Sequence, residues 1–237
     1  VPPVRGDGQA TRLNAGGERF GVVNQGISGN RVLNDVVGPA ARSRFERDAL
    51  GASGVAAVIV LIGINDLGFA GFVPGQEASV EQLTAGLAEL FAQAKGRNLR
   101  TYAATLLPLK GTNAPYYSEL TEQKRQAVNA WIRSQSAVDD VIDFDQAMGD
   151  PADPLAMRPD YDSGDHLHPQ DAGYEAMANA MERETDHLIA ILSREGGKTL
   201  DDCIAEVREA VDFCRYYALD AEQKFRGLEA LPGPAGE

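Results

Sequence analysis

The chain has 237 residues, of which 43% are hydrophobic and 24% charged, with a formal net charge of -13. That is enough apolar material for one ordinary domain, or one domain with an appendage. The acidic balance excludes the basic face that nucleic acid or an anionic membrane surface requires. No apolar run reaches the roughly 18 residues of a membrane-spanning helix.

Val1-Pro2-Pro3-Val4-Arg5 has no signal-peptide core. Two cysteines make neither a disulfide scaffold nor a Cys-rich zinc site. Cys203 and Cys214 fall about three helical turns apart, too far to bond, and read as buried structural thiols. These features favour the cytoplasm, with a leader removed by processing as the alternative.

Phe20–Asn24 reads as a short strand running into a loop at Gly26 and Gly29. Pro39–Leu50 can form a helix with proline near its first position. Val55–Ile62 is apolar on both faces, as in a central parallel strand covered on both sides, and Gly63-Ile64-Asn65-Asp66 breaks it. Ser79–Ala94 has apolar residues at helical spacing and opens on a capping-box pattern, Ser79 with Gln82. A strand over Leu99–Ala104 follows, then a helix over Ser118–Ser134 that carries Trp131, and a short strand over Val141–Phe144. Asp160–His168 is a polar loop, and Pro169-Gln170-Asp171 starts a helix directed towards Leu192. Strands alternating with helices predict an α/β fold with a parallel sheet and helices on both faces. Reactive groups in such a sheet collect beyond the carboxyl ends of the strands, where Asn24–Asn30, Gly63–Asp66 and Asp162–His168 all fall.

Asp165-His166-Leu167-His168-Pro169 carries the sharpest chemical signal. An Asp three residues before a His can orient the imidazole and stabilise its cation, leaving the other ring nitrogen as general base. A metal site shared by His166 and His168, or a merely satisfied polar loop, reads from the same residues. In Gly63-Ile64-Asn65-Asp66, Asn65 can donate to a developing oxyanion or can simply suit a turn. In Gly26-Ile27-Ser28-Gly29-Asn30, the absence of a side chain on Gly29 lets its N–H approach a substrate oxygen, as a plain loop also would.

Taken together, NQGISGNRVLND at 24–35, GIND at 63–66 and DHLHPQDAGY at 165–174 resemble the SGNH, or GDSL, hydrolase family over about residues 10–193. The resemblance implies a flavodoxin-like three-layer sandwich. It implies Gly29 and Asn65 as oxyanion donors, and Asp165 and His168 as the last two members of a Ser-His-Asp triad. It implies no catalytic role for His166. It implies hydrolysis of esters, thioesters or acetylated sugars with no cofactor and no metal. The family's Gly-Asp-Ser block is the point of departure: residues 1–9 hold Gly6-Asp7-Gly8, with glycine where the nucleophilic serine would stand, and they read as unrelated to that block. Val1–Arg5 is a poor central strand because proline cannot donate to the ladder, and Thr11-Arg12-Leu13 reads as the remnant of the first helix. A missing internal strand leaves a gap of about 9.6 Å, two strand spacings. Strand 20–24 closing onto strand 55–62, another segment, or a second copy of the chain would fill it.

Gly196-Gly197 marks a break. Beyond it Leu200, Ile204, Val207, Val211, Cys214, Ala218, Ala221 and Phe225 form a heptad-like seam. Residues 196–237 resemble a helical segment near the start of the aldehyde dehydrogenase domain of bifunctional proline-catabolism enzymes. Neither the catalytic cysteine region nor the dinucleotide-binding region of that family is present, so no oxidoreductase activity carries over. The chain therefore reads as a fusion whose tail packs on the hydrolase body or on another copy.

Three functions follow from these readings. The first is hydrolysis of short-chain or activated carboxylic esters by an incomplete catalytic set, with Ser28 or water attacking. The second is a non-catalytic binding or assembly protein on a degenerate hydrolase fold. The third is a metal-dependent hydrolase using His166 and His168. The expected partners are a small-molecule ester and further copies of the chain.

Overall fold

The computed structural model describes residues 24–183, apart from residues 56, 69–71 and 114–115. One compact unit spans Val23–His168, and the elements from α1 to β5 belong to it. Helix α1 (Ala41–Phe45) runs on into one π turn at Glu46–Leu50. Strand β1 (Ala57–Val60) leads into a short helix, α2 (Ile64–Gly68). Helix α3 (Val80–Gly96) then crosses over to strand β2 (Arg100–Ala104), and helix α4 (Glu119–Arg133) to strand β3 (Asp140–Ile142). The three strands pair in parallel in the order β1-β2-β3, with Val60 opposite Ala103 and Ala104 opposite Ile142. Parallel neighbours need such crossovers.

Both crossover helices begin where their caps dictate. The Gln82 N–H donates to Ser79 Oγ at 3.1 Å while the Ser79 N–H donates to Gln82 Oε1 at 2.9 Å, the reciprocal capping box read from the sequence. The Thr121 N–H donates to Ser118 Oγ at 3.0 Å, which starts α4 one residue after the serine. The apolar faces of α1, α3 and α4 bury Phe45, Leu83, Leu87, Leu90, Phe91, Val128 and Ile132 together with Val60 and Ala103 of the sheet. Trp131 stacks on Phe91 at 6.0 Å between ring centres.

Val60 and Ala103, being register partners, share one sheet face, and this is the face the helices cover. Ile59 on the opposite face of β1 is 41% exposed, and Leu61 just beyond the strand is 40% exposed. The apolar run Val55–Ile62 predicts cover on both sides; the structure corrects this, since Val58 and Val60 turn to the core while Ala57 and Ile59 on the other face are exposed. The predicted strand at Phe20–Asn24 lies outside the described residues except for Asn24, which is not in a strand.

Two features depart from the sequence reading by addition. A helical turn, α2, stands where a simple break is predicted. After β3, helix α5 (Phe144–Met148) leads into a small antiparallel hairpin, β4 (Gly149–Asp150) with β5 (Asp153–Met157). Its turn is closed by the Ala152 N–H donating to Asp150 Oδ1 at 2.8 Å. Helix α6 (Asp171–Arg183) belongs to a second unit and starts where Pro169-Gln170-Asp171 predicts. The seam from Leu200 to Phe225, with Cys203 and Cys214, lies outside the described residues.

Candidate active site

The loop before α1 and the turn after β1 are joined by buried polar contacts. Residues 27–30 make a tight turn, the Asn30 N–H donating to the Ile27 carbonyl at 3.0 Å, and Gly29 takes φ +76° in it. That left-handed position suits glycine, and a β-carbon there would also press on Val37 at 3.3 Å. Asn30 is buried and anchors the turn: its Nδ2 donates to the Val37 and Pro39 carbonyls at 2.9 Å each, and its Oδ1 accepts from Arg44 Nε and Nη2.

From the other side, the carboxylate of Asp66 in α2 accepts the Val32 N–H at 2.8 Å and the Leu33 N–H at 3.0 Å. Burial pushes the Asp66 carboxyl up, against the pull of those two N–H groups. Asn65 completes the join, its Nδ2 donating to the Asn30 carbonyl at 3.0 Å. Its Oδ1 accepts the Tyr116 hydroxyl at 2.8 Å. The structure thus brings the Gly29 turn and Asn65 together.

Residues 162–168 form two interlocked Asp–His turns. Asp165 Oδ1 accepts the Leu167 N–H at 2.9 Å and the His168 N–H at 2.8 Å, and its Oδ2 meets His168 Nδ1 at 2.6 Å. Burial alone raises the Asp165 carboxyl, but the His168 N–H, the His168 ring and the Leu167 N–H outweigh it and hold the carboxyl well below the usual carboxylate range. An ionised carboxylate only accepts, so Nδ1 carries a proton, and a neutral ring then has its lone pair on Nε2. The His168 side chain is 63% exposed.

Asp162, buried, accepts the Gly164 N–H at 2.8 Å and the His166 N–H at 2.9 Å, and its other oxygen meets His166 Nδ1. His166 adopts φ +61° to do so. The two imidazoles therefore face different carboxylates. Among the described residues no group of three or more His, Cys, Asp or Glu side chains is placed to hold a metal ion.

The connection from β2 to α4 touches both parts. Its start is pinned by the buried Arg125, whose Nη1 donates to the Leu106 carbonyl at 2.8 Å and to Asp145 Oδ1 at 2.5 Å. Asn129 pairs with the Leu106 backbone in both directions, accepting its N–H at 2.7 Å and donating to its carbonyl at 2.8 Å. Further on, Gly111 lies under the His166 ring, where a β-carbon would come within 2.9 Å of Cγ. Tyr116 then reaches Asn65. Sequence reasoning missed Asp66, Asp162 and Tyr116. The first two carried a signal, carboxylates at the ends of the motifs, whereas Tyr116 sits in a stretch with no motif.

The model of the GDSL-like lipase/acylhydrolase family matches residues 2–176, a span that takes in Gly6-Asp7-Gly8. Among solved structures, the fold is similar to that of a GDSL-like lipase from Bacteroides thetaiotaomicron, 22% identical, with a TM-score of 0.51 over 62% of this chain and 69% of the other. It is also similar to an acetylxylan esterase from Geobacillus stearothermophilus, 23% identical, with a TM-score of 0.51 over 68% of this chain and 70% of the other. These likenesses agree with the α/β fold.

Residues 171–237 match the aldehyde dehydrogenase family model. The bifunctional protein PutA of Escherichia coli is 56% identical over 55 residues, 23% of this chain and 4% of that protein. PutA of Rhizobium meliloti is 42% identical over 72 residues, 30% of this chain and 5% of that protein. The chain thus spans about one-twentieth of the length of these curated relatives.

Proposed function

The chain belongs to the GDSL-like lipase/acylhydrolase family, and from that premise we propose that it hydrolyses carboxylic esters with small acyl groups or good leaving groups. The observation that carries the reading is the 2.6 Å contact of His168 Nδ1 with Asp165, which leaves Nε2 as a base. The attacking oxygen is water or the exposed Ser28 hydroxyl, one residue before Gly29.

With water, His168 Nε2 takes a proton as the new C–O bond forms. The carbonyl oxygen becomes an oxyanion between the Gly29 N–H and the second Nδ2 hydrogen of Asn65. Collapse breaks the bond to the leaving alkoxide, which recovers the proton from His168. Ester and water thus give acid and alcohol. Ser28 would add an acyl-enzyme before water enters. A catalytic set lacking one member still supplies about 10³–10⁴-fold over water, and activated esters demand least of such a set. An acetyl group on a sugar belongs to the same substrate class.

The test is hydrolysis of 4-nitrophenyl acetate by the parent chain, His168→Ala and Ser28→Ala, with intact-mass analysis of the parent after a short exposure. Loss in His168→Ala alone, with no acetyl adduct, assigns water. Loss in both variants, with an adduct, assigns Ser28. A folded parent without turnover overturns the proposal in favour of a binding protein, and a fully active His168→Ala overturns His168 as the base that carries it. Association of copies is part of the same reading, supported by the exposed Ile59 and Leu61. Sedimentation velocity should show an oligomer that Ile59→Lys weakens, and a monomeric parent would remove that part.

A further inference from the structure

Tyr116 meets Asn65 at a place where the fold has made room for it. Its hydroxyl donates to Asn65 Oδ1 at 2.8 Å, across 51 residues of sequence. Its ring lies against Gly68, the last residue of α2, where an added β-carbon would fall 2.2 Å from Cδ1 and 2.7 Å from Cε1. Gly68 is buried and carries no positive φ, so space rather than backbone conformation is what glycine provides here. Phe72 packs obliquely on the same ring, 6.3 Å between centres. The ring is therefore held on two sides, and its hydroxyl is aimed at one atom.

An amide side chain can sit either way round, and only one way presents nitrogen to a substrate oxygen. The Asn30 carbonyl accepts from Asn65 Nδ2 at 3.0 Å. The Tyr116 hydroxyl donates to Oδ1. The Asn30 carbonyl can only accept, so a reversed amide would lose that bond; with Nδ2 held there, the Tyr116 hydroxyl restrains the amide from its Oδ1 end. Donation to Oδ1 also draws electron density from the amide and strengthens Nδ2–H as a donor, as chains of hydrogen bonds do in a low-dielectric site. Burial raises the Tyr116 phenol above its ordinary value, so the hydroxyl keeps its proton throughout the neutral range.

We propose that Tyr116 is a positioning residue for the oxyanion donor Asn65, fixing and polarising its amide while touching no substrate itself. This rests on the reading of Asn65 as the donor to the reacting oxygen. Gly68 is the permissive partner that makes the contact sterically available.

The test is a double-mutant cycle on 4-nitrophenyl acetate hydrolysis, using Tyr116→Phe, Asn65→Ala and the two together in the full chain. Tyr116→Phe deletes one oxygen and should lower kcat about tenfold with KM unchanged. In the Asn65→Ala background the same change should cost nothing further. Gly68→Ala, which displaces the ring but keeps the hydroxyl, should reproduce the Tyr116→Phe loss. Equal losses in both backgrounds would show Tyr116 acting independently of Asn65 and would overturn the proposal. An active parent with an unaffected Asn65→Ala would remove the oxyanion reading, and the positioning role with it.

A readout independent of turnover is the side-chain amide resonance of Asn65. It should shift in Tyr116→Phe, and an unchanged resonance would overturn the contact itself. A parent without turnover is decided by this arm.

Discussion

The two halves of the candidate site are held by different physics. On the Asn65 side, Asp66 and Asn30 are almost wholly buried and tie together segments far apart in sequence, from Val32 to Asp66 and from Asn30 to Asn65. On the His168 side, the bonds span two to four residues, and His168 and Asp165 are more than half exposed. Buried polar groups must be satisfied or the fold loses stability, so the first half is fixed by the tertiary structure. The second is a local turn that its own sequence can form. The difference suits their proposed roles: an oxyanion donor acts by being in place beforehand, whereas a base must also release its proton to solvent or a leaving group.

The comparison sharpens under substitution. The largest expected effect is on turnover. His168→Ala should lower kcat on 4-nitrophenyl acetate by about 10²–10⁴-fold, with little change in the thermal midpoint because the side chain is exposed. Asn65→Ala should cost about 10²–10³-fold in kcat, and calorimetry should register a lower midpoint as well, since the Asn30 carbonyl and the Tyr116 hydroxyl lose their partner.

Asp66→Asn comes next. An amide cannot accept both the Val32 and Leu33 N–H groups, so one buried donor is left facing an NH₂ group. Urea unfolding should show a loss of about 1–3 kcal/mol. Asp165→Asn should lower the urea midpoint less than Asp66→Asn does, because the carboxylate is half exposed, while reducing turnover. A large stability loss there would break the distinction between the halves.

The smallest effect is the order of titration. Asp165 lies below its ordinary value and Asp66 above its own. As pH falls, native Asp66 should take up its proton first. That uptake favours the fold, because the native state then binds a proton the unfolded chain does not yet hold. Asp165 should follow at lower pH. Its contribution is complete above the ordinary carboxylate pKa of about 3.9 and is lost as pH falls through the depressed native value. Carbon-13 spectra of the side-chain carboxyls would show the order directly, and the reverse order would contradict the burial account of Asp66.

What could be read from the sequence follows the same division. The Asp165–His168 pair and the Ser79 capping box are local patterns, and the structure forms each of them. Gly29 and Asn65 stand out in the sequence because NQGISGNRVLND and GIND resemble the family's motifs. Their attachment through Asp66, Asn30 and Arg44 does not, because it depends on which segments the fold brings together. Tyr116 was invisible for the same reason, as its partner is 51 residues away and its space comes from Gly68. The strand at 55–62 was over-read, because an apolar run does not say how many of its sides the fold covers, and β1 leaves Ile59 exposed.

The most direct test of the whole account is whether the two halves serve one transition state. Turnover of 4-nitrophenyl acetate by His168→Ala/Asn65→Ala, compared with each single variant and the parent, measures this. The account predicts two deep single losses and a double variant scarcely slower than His168→Ala. Single variants as active as the parent, or losses that multiply in full, would contradict it.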